Sequence, residues 1–203
     1  MDAPQQEIFR STGHWLDASR RLMRTGHGIA GGRANMAFGM LNVALEHQDG
    51  IHALAALGHH HSALALLRPA IDAQIRGIWL YHCASEDQLR QFYDHGVAIP
   101  GYRDLTAEVS STAPEYIRFW EFLAKSAPHN LKHDFTHGGR EQLLSSIDQL
   151  TGDLQGTPEN IPVLLRIIAE LRYFTCLEML RIVDARNIHG ALQSAFERFI
   201  SPS

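Results

Sequence analysis

The stretch IPVLLRIIAELRYFTCLEMLRIVD at residues 161–184 decides the fold class. Leu164, Ile168, Leu171, Thr175 and Glu178 recur in it at intervals of three and four, so they share one line of an α-helix. Other apolar residues surround that line, and a helix apolar over so wide an arc is central to its domain. Immediately upstream, Thr157-Pro158-Glu159-Asn160 supplies helix-start chemistry, with proline placed where a first turn tolerates it.

Two more long patterns lie upstream. Over 35–57, Met36, Met40, Val43, His47, Ile51 and Leu54 keep helical spacing and read as one buried stripe, with His47 as a core histidine. Over 62–84, Leu64, Leu67, Ile71, Ile75 and Ile78 do the same. Shorter helices are predicted over 7–23, 86–95, 115–127 and 188–200. No run of β-branched residues alternates with period two, and Asp49-Gly50, the nearest approach to a hairpin turn, sits inside a helical pattern. The expected class is all-α, a single-domain helical bundle with long up-and-down helices plus short connecting helices. Within it, 1–30 form an N-terminal helix and Gly-rich link, 31–186 the bundle core and 187–203 a C-terminal helix.

Composition narrows the function classes. With 203 residues, 45% hydrophobic and 20% charged, the chain can bury a sizeable core, which excludes disordered and fibrous proteins. A net charge of −4 excludes a uniformly basic coat but leaves room for a local basic pocket. Cys83 and Cys176 lie far apart without a CxxC spacing, which points to a reduced, cytoplasmic protein. The opening Met1-Asp2-Ala3-Pro4-Gln5-Gln6-Glu7 does not read as a signal peptide, and the apolar run over 51–67 is too short and too rich in histidine to span a bilayer, so no membrane association is expected. Histidine stands out at 13 residues, three of them consecutive at 59–61. His59 and His60 precede a helix and read as surface positions.

Three features are candidates for chemistry. Gly26-His27-Gly28-Ile29-Ala30-Gly31 matches GxGxxG, but the dinucleotide fingerprint needs a preceding strand, and 15–24 reads as a charged amphipathic helix. The motif therefore reads as a flexible link, from which Arg33 could still meet an anion at a helix N-terminus. On the helix predicted over 62–84, His61, Arg68, Asp72 and Trp79 fall within about 40° of one another, roughly a quarter turn from the apolar stripe, where a cleft wall would lie. Asp72 is four residues from both Arg68 and Arg76, a spacing that lets one carboxylate hold two guanidinium groups, and Pro69 predicts a kink beside them. A structural ion-pair ladder is the plain alternative. The third feature is Pro128-His129-Asn130-Leu131-Lys132-His133-Asp134-Phe135-Thr136-His137-Gly138-Gly139-Arg140. If helical, His129, His133 and His137 share a face, a spacing open to a transition metal; HExxH and an obvious third ligand are missing, so no metal or other cofactor is assigned.

The run Ser62-Ala63-Leu64-Ala65-Leu66-Leu67-Arg68-Pro69, with Asp72, Arg76-Gly77-Ile78-Trp79-Leu80 and Thr136-His137-Gly138-Gly139, resembles a group of uncharacterised bacterial all-helical proteins over about 35–181. More distantly it is similar to the HEPN superfamily of helical bundles, many of them metal-independent ribonucleases of toxin and defence systems that act as dimers. Their Arg, spacer, His motif is met here by Lys132 and His137, with lysine in place of arginine and so without the planar fork that holds a phosphate. The resemblance implies His137 as general acid or base, Lys132 and Arg68 as charge neutralisers on a phosphorane, and Asp72 as the residue that orients Arg68 or His61. His61, Arg76, Trp79, His133 and Arg140 complete the expected ligand-binding set. The leading expectation is a bundle that binds an anionic ligand or a partner protein in an Arg/Asp/His cleft; the partners expected are RNA, a nucleotide or a small anion, and a second copy of the chain in a homodimer. The alternatives are a HEPN-like ribonuclease and a histidine-dependent metalloprotein.

Overall fold

The computed structural model describes residues 3–24, 31–116, 121 and 161–200. Among them every regular element is helical: α1 Ala3–Met23, α2 Gly32–Ala56, α3 His60–Ala65, α4 Leu67–His82, α5 Glu86–His95, α6 Tyr102–Thr112, α7 Ile161–Ile182 and α8 His189–Ile200, with 3₁₀ turns at Pro114–Tyr116 and Arg186–Ile188. The protein is an all-α, single-domain bundle. No helix of the described residues is long and apolar enough to cross a membrane.

Pro69 decides how the pattern over 62–84 folds. It has no N–H to give the carbonyl of Ala65, and its ring would clash there. The chain answers by ending α3 at Ala65 and starting α4 at Leu67, with Leu66 between them still in the right-handed helical region, so the helix is interrupted where the kink is expected. Pro69 then lies in the first turn of α4, where N–H groups lack intrahelical acceptors and its missing donor costs nothing. His61 is on α3, so it does not share a helix with Arg68, Asp72 and Trp79.

The apolar stripe of this region is buried as expected, from Leu64 through Leu67, Ile71 and Ile75 to Ile78. So is the line on α7, including its polar members Thr175 and Glu178. The phase of α2 differs from expectation. Its buried line is Ala34, Ala37, Leu41, Ala44, Leu45, Gln48, Ile51 and Ala55, whereas Met36, Met40 and His47 are half-buried and Val43 is 38% exposed. Close packing against α4 is the reason, because it favours small side chains over the most apolar ones. The two helices run antiparallel, with Gly77 against Leu41 and Ala37 and, at the other end, Leu66 against Gly50. A Cβ on Gly77 would lie 2.7 Å from Leu41 Cγ and 3.1 Å from the Ala37 carbonyl oxygen. Gly77→Ala is therefore expected to lower stability, because overpacking costs about 1–3 kcal/mol and outweighs the roughly 1 kcal/mol of helix propensity gained. Urea denaturation checks this, and an unchanged midpoint would mean that α2 yields to the added methyl.

The remaining helices are tied on by specific contacts. Arg33 donates to the carbonyls of Leu80 at 3.0 Å and Ala84 at 2.6 Å and pairs with Glu86 at 2.7 Å. It thus satisfies the C-terminal end of α4, where a cation also suits the helix dipole, rather than an anion. Ser85 and Gln88 form a reciprocal capping box that starts α5. The carboxyl-terminal helix docks through aromatic rings: Phe196 stacks on Tyr173 at 4.5 Å and meets Trp15, whose indole donates to the Ala169 carbonyl at 3.0 Å. The helix over 102–112 has no counterpart among the predicted ones; with Leu105 and Val109 as its only buried residues, its apolar pattern is short.

Candidate functional site

The outward face of α4 carries a guanidinium held on two sides. Arg68 Nε donates to Asp72 Oδ1 at 2.9 Å, the two side chains being 23% and 28% exposed. The guanidinium carbon lies 4.3 Å from the centroid of the Tyr102 ring on α6. Burial pushes the Tyr102 hydroxyl above the ordinary phenol range, a shift that Arg68 opposes and Asp72 reinforces, so the ring is a neutral platform at physiological pH. The carboxylate and ring fix the plane of the guanidinium, while its terminal nitrogens have no acceptor among the described residues. Arg76 forms no ion pair with Asp72; its Nε is buried and lacks a hydrogen-bond partner. The expected two-sided clamp is thus one-sided, with two guanidinium groups and one carboxylate along the same helix.

The other expected site residues are placed differently. Trp79 is 2% exposed, and its indole donates to Glu108 Oε2 at 2.6 Å, which makes its ring part of the core. His61 is half-buried on α3. Its neighbour His60, expected at the surface, is half-buried too, with an unpartnered Nδ1 and a proton affinity lowered by burial and by His61. Lys132, His133, His137 and Arg140 lie outside the described residues, as does the Gly26 to Ala30 part of the glycine-rich motif.

A second constellation was not anticipated. Glu178, buried on α7, receives His82 Nε2 at 2.6 Å and the Tyr116 hydroxyl, with Arg181 at 3.4 Å. A carboxylate can only accept, so His82 presents its Nε2–H to Glu178, and in the neutral ring Nδ1 carries the free lone pair. The side chain of His82 is 19% exposed. The signal for this cluster is present in the primary structure: Glu178 continues the apolar line of α7, and a charge on a core line must find partners. Neither cysteine adds a nucleophile. Burial pushes the Cys83 thiol up and holds Cys176 at about 12, so both are thiols at neutral pH.

Among the described residues no group of three or more His, Cys, Asp or Glu side chains could hold a metal ion. A concavity of about 320 Å³ lies between α2 and α5, but its inner cation, Arg33, is already spent on carbonyls and Glu86. No curated protein and no solved structure matches the chain. A family model does match, over residues 41–200, which takes in α4 with Arg68 and Asp72 and α7 with Glu178. With most of its length covered, including both of these arrangements, the chain belongs to the family of unknown function DUF6988.

Proposed function

We propose that the protein binds a small anion of the phosphate or carboxylate class on the face of α4 that carries Arg68, Asp72 and Arg76. The observation that supports this reading is the state of Arg68, whose plane is held by Asp72 and Tyr102 while its terminal nitrogens remain unspent. Immobilising a long side chain is part of the cost of binding, and here the fold has already met it. A fixed guanidinium edge presents two parallel donors that match two oxygens of a phosphate or carboxylate. Arg76, on the same helix and unpaired with Asp72, leaves the face with one positive charge in excess. With a net charge of −4, the chain suits a local anion pocket better than a long polyanion track, which draws on many cationic contacts.

Calorimetric titration with inorganic phosphate, a nucleoside monophosphate and a small dicarboxylate tests this reading. One of them should bind, and Arg68→Ala should weaken it roughly 10- to 100-fold, as the loss of a charged hydrogen bond of about 1.5–3 kcal/mol implies. Arg68→Lys keeps the charge and loses the fork, so it should recover only part of the affinity. Binding that ignores Arg68→Ala, or no binding by any of the three, sinks the proposal. RNA cleavage abolished by His137→Ala would instead favour the ribonuclease reading that the HEPN resemblance implies.

A further inference from the structure

We propose that the cavity where α1, α7 and α8 meet is a separate ligand site, shaped for an organic ammonium ion carried on an apolar body. The cavity holds about 520 Å³, within the roughly 300–1,000 Å³ usual for small-molecule sites. Pro4 and Ile8 of α1 and Phe199 and Ile200 of α8 form its apolar walls, and Arg166 and Glu170 of α7 line it as well. Ile200 is 53% exposed, so this apolar surface faces an open concavity rather than the core.

Glu170 gives the cavity its sign. It is half-buried, and it makes no hydrogen bond or ion pair among the described residues. Arg166 lies one turn earlier on the same helix, yet it is exposed and does not pair with Glu170. The other acid of the lining, Glu7, is engaged by Arg10 at 2.7 Å. The group that has lost water without gaining a partner is therefore the carboxylate, while the cation beside it stays solvated. Burial holds the Glu170 carboxyl above the usual carboxylate range, the expected response of an unpaired half-buried acid. A ligand ammonium would supply the missing partner, and its hydrocarbon would cover Ile8, Phe199 and Ile200. A ligand carboxylate would meet Glu170 as a like charge.

The test uses the full chain with benzylamine, and with benzyl alcohol and benzoate as matched controls of neutral and opposite charge. Benzylamine should raise the unfolding temperature saturably at neutral pH, the controls should not, and Glu170→Gln should weaken benzylamine by about tenfold. An acid whose folded pKa is raised loses stability as pH climbs from its unfolded to its folded value. Free Glu170→Gln should therefore be at least as stable as the parent at neutral pH, which separates lost binding from lost folding. Independently of any variant, benzylamine should shift amide resonances of residues 5–11, 166–170 and 199–200 in the parent protein. No stabilisation, equal stabilisation by benzyl alcohol, insensitivity to Glu170→Gln, or resonance shifts elsewhere would each overturn the assignment.

Discussion

Arg172→Ala is expected to be among the most damaging single substitutions in this chain, lowering stability by about 3–5 kcal/mol, the usual result of deleting one member of a buried charged network. The guanidinium is 1% exposed and joins three helices. Its Nε donates to Ser19 Oγ of α1 at 2.9 Å, one terminal nitrogen donates to the Leu45 carbonyl of α2 at 3.0 Å, and the other reaches the Leu16 carbonyl at 3.5 Å. Asp49 lies 3.3 Å away as counter-ion, close enough for ionic attraction although Oδ1 is off the hydrogen-bonding direction. Burial lowers the proton affinity of Arg172, and the Asp49 carboxylate restores part of it. Truncation would leave a cavity as well as unpaired acceptors, so both effects act in the same direction. Arg172→Met should lose less, because it fills the space without stranding a charge and Asp49 keeps Arg20 at 2.9 Å. Chemical denaturation measures both; a loss under about 1 kcal/mol for the alanine variant would mean that water takes the place of the guanidinium.

Glu178→Ala should come close to that effect, again about 3–5 kcal/mol, because the buried carboxylate is shared by His82, Tyr116 and Arg181. Glu178→Gln is the informative companion. The amide still accepts from Tyr116 but must offer N–H to His82, which reverses the imidazole to its Nδ1–H form. The expected cost is about 1–2 kcal/mol, the difference between charged and neutral hydrogen bonds. Long-range proton–nitrogen spectra should show the Nε2–H tautomer of His82 in the parent and the Nδ1–H tautomer in Glu178→Gln. The same tautomer in both would refute the pairing of His82 with Glu178.

Histidine abundance shows where reading by residue type reaches its end. His52 places Nε2 3.1 Å from the Phe9 carbonyl, His82 is bound to Glu178, and His60 is partly sequestered, so each is explained by its own neighbours rather than by a common centre. The α4 site was more legible. The i,i+4 pairing of Arg68 with Asp72 follows from helix geometry alone, whereas Tyr102, 34 positions from Arg68, arrives on a helix with too few buried positions to stand out.

By itself the sequence determined the helical class, the burial of the α7 line from Leu164 to Glu178, and the burial of the Leu64 to Ile78 stripe. These depend on the period of apolar residues, which survives whatever the helices pack against. Only the tertiary structure decided which face of α2 is inside, that Arg33 is spent on the end of α4, and that Glu178 gathers His82 and Tyr116. Each of these depends on how closely two helices approach and on which distant groups meet at the contact. A periodicity carries neither quantity: it ranks Met36 above Ala37 by apolarity, while it is the Ala37 backbone, 3.1 Å from where a Cβ on Gly77 would sit, that faces α4.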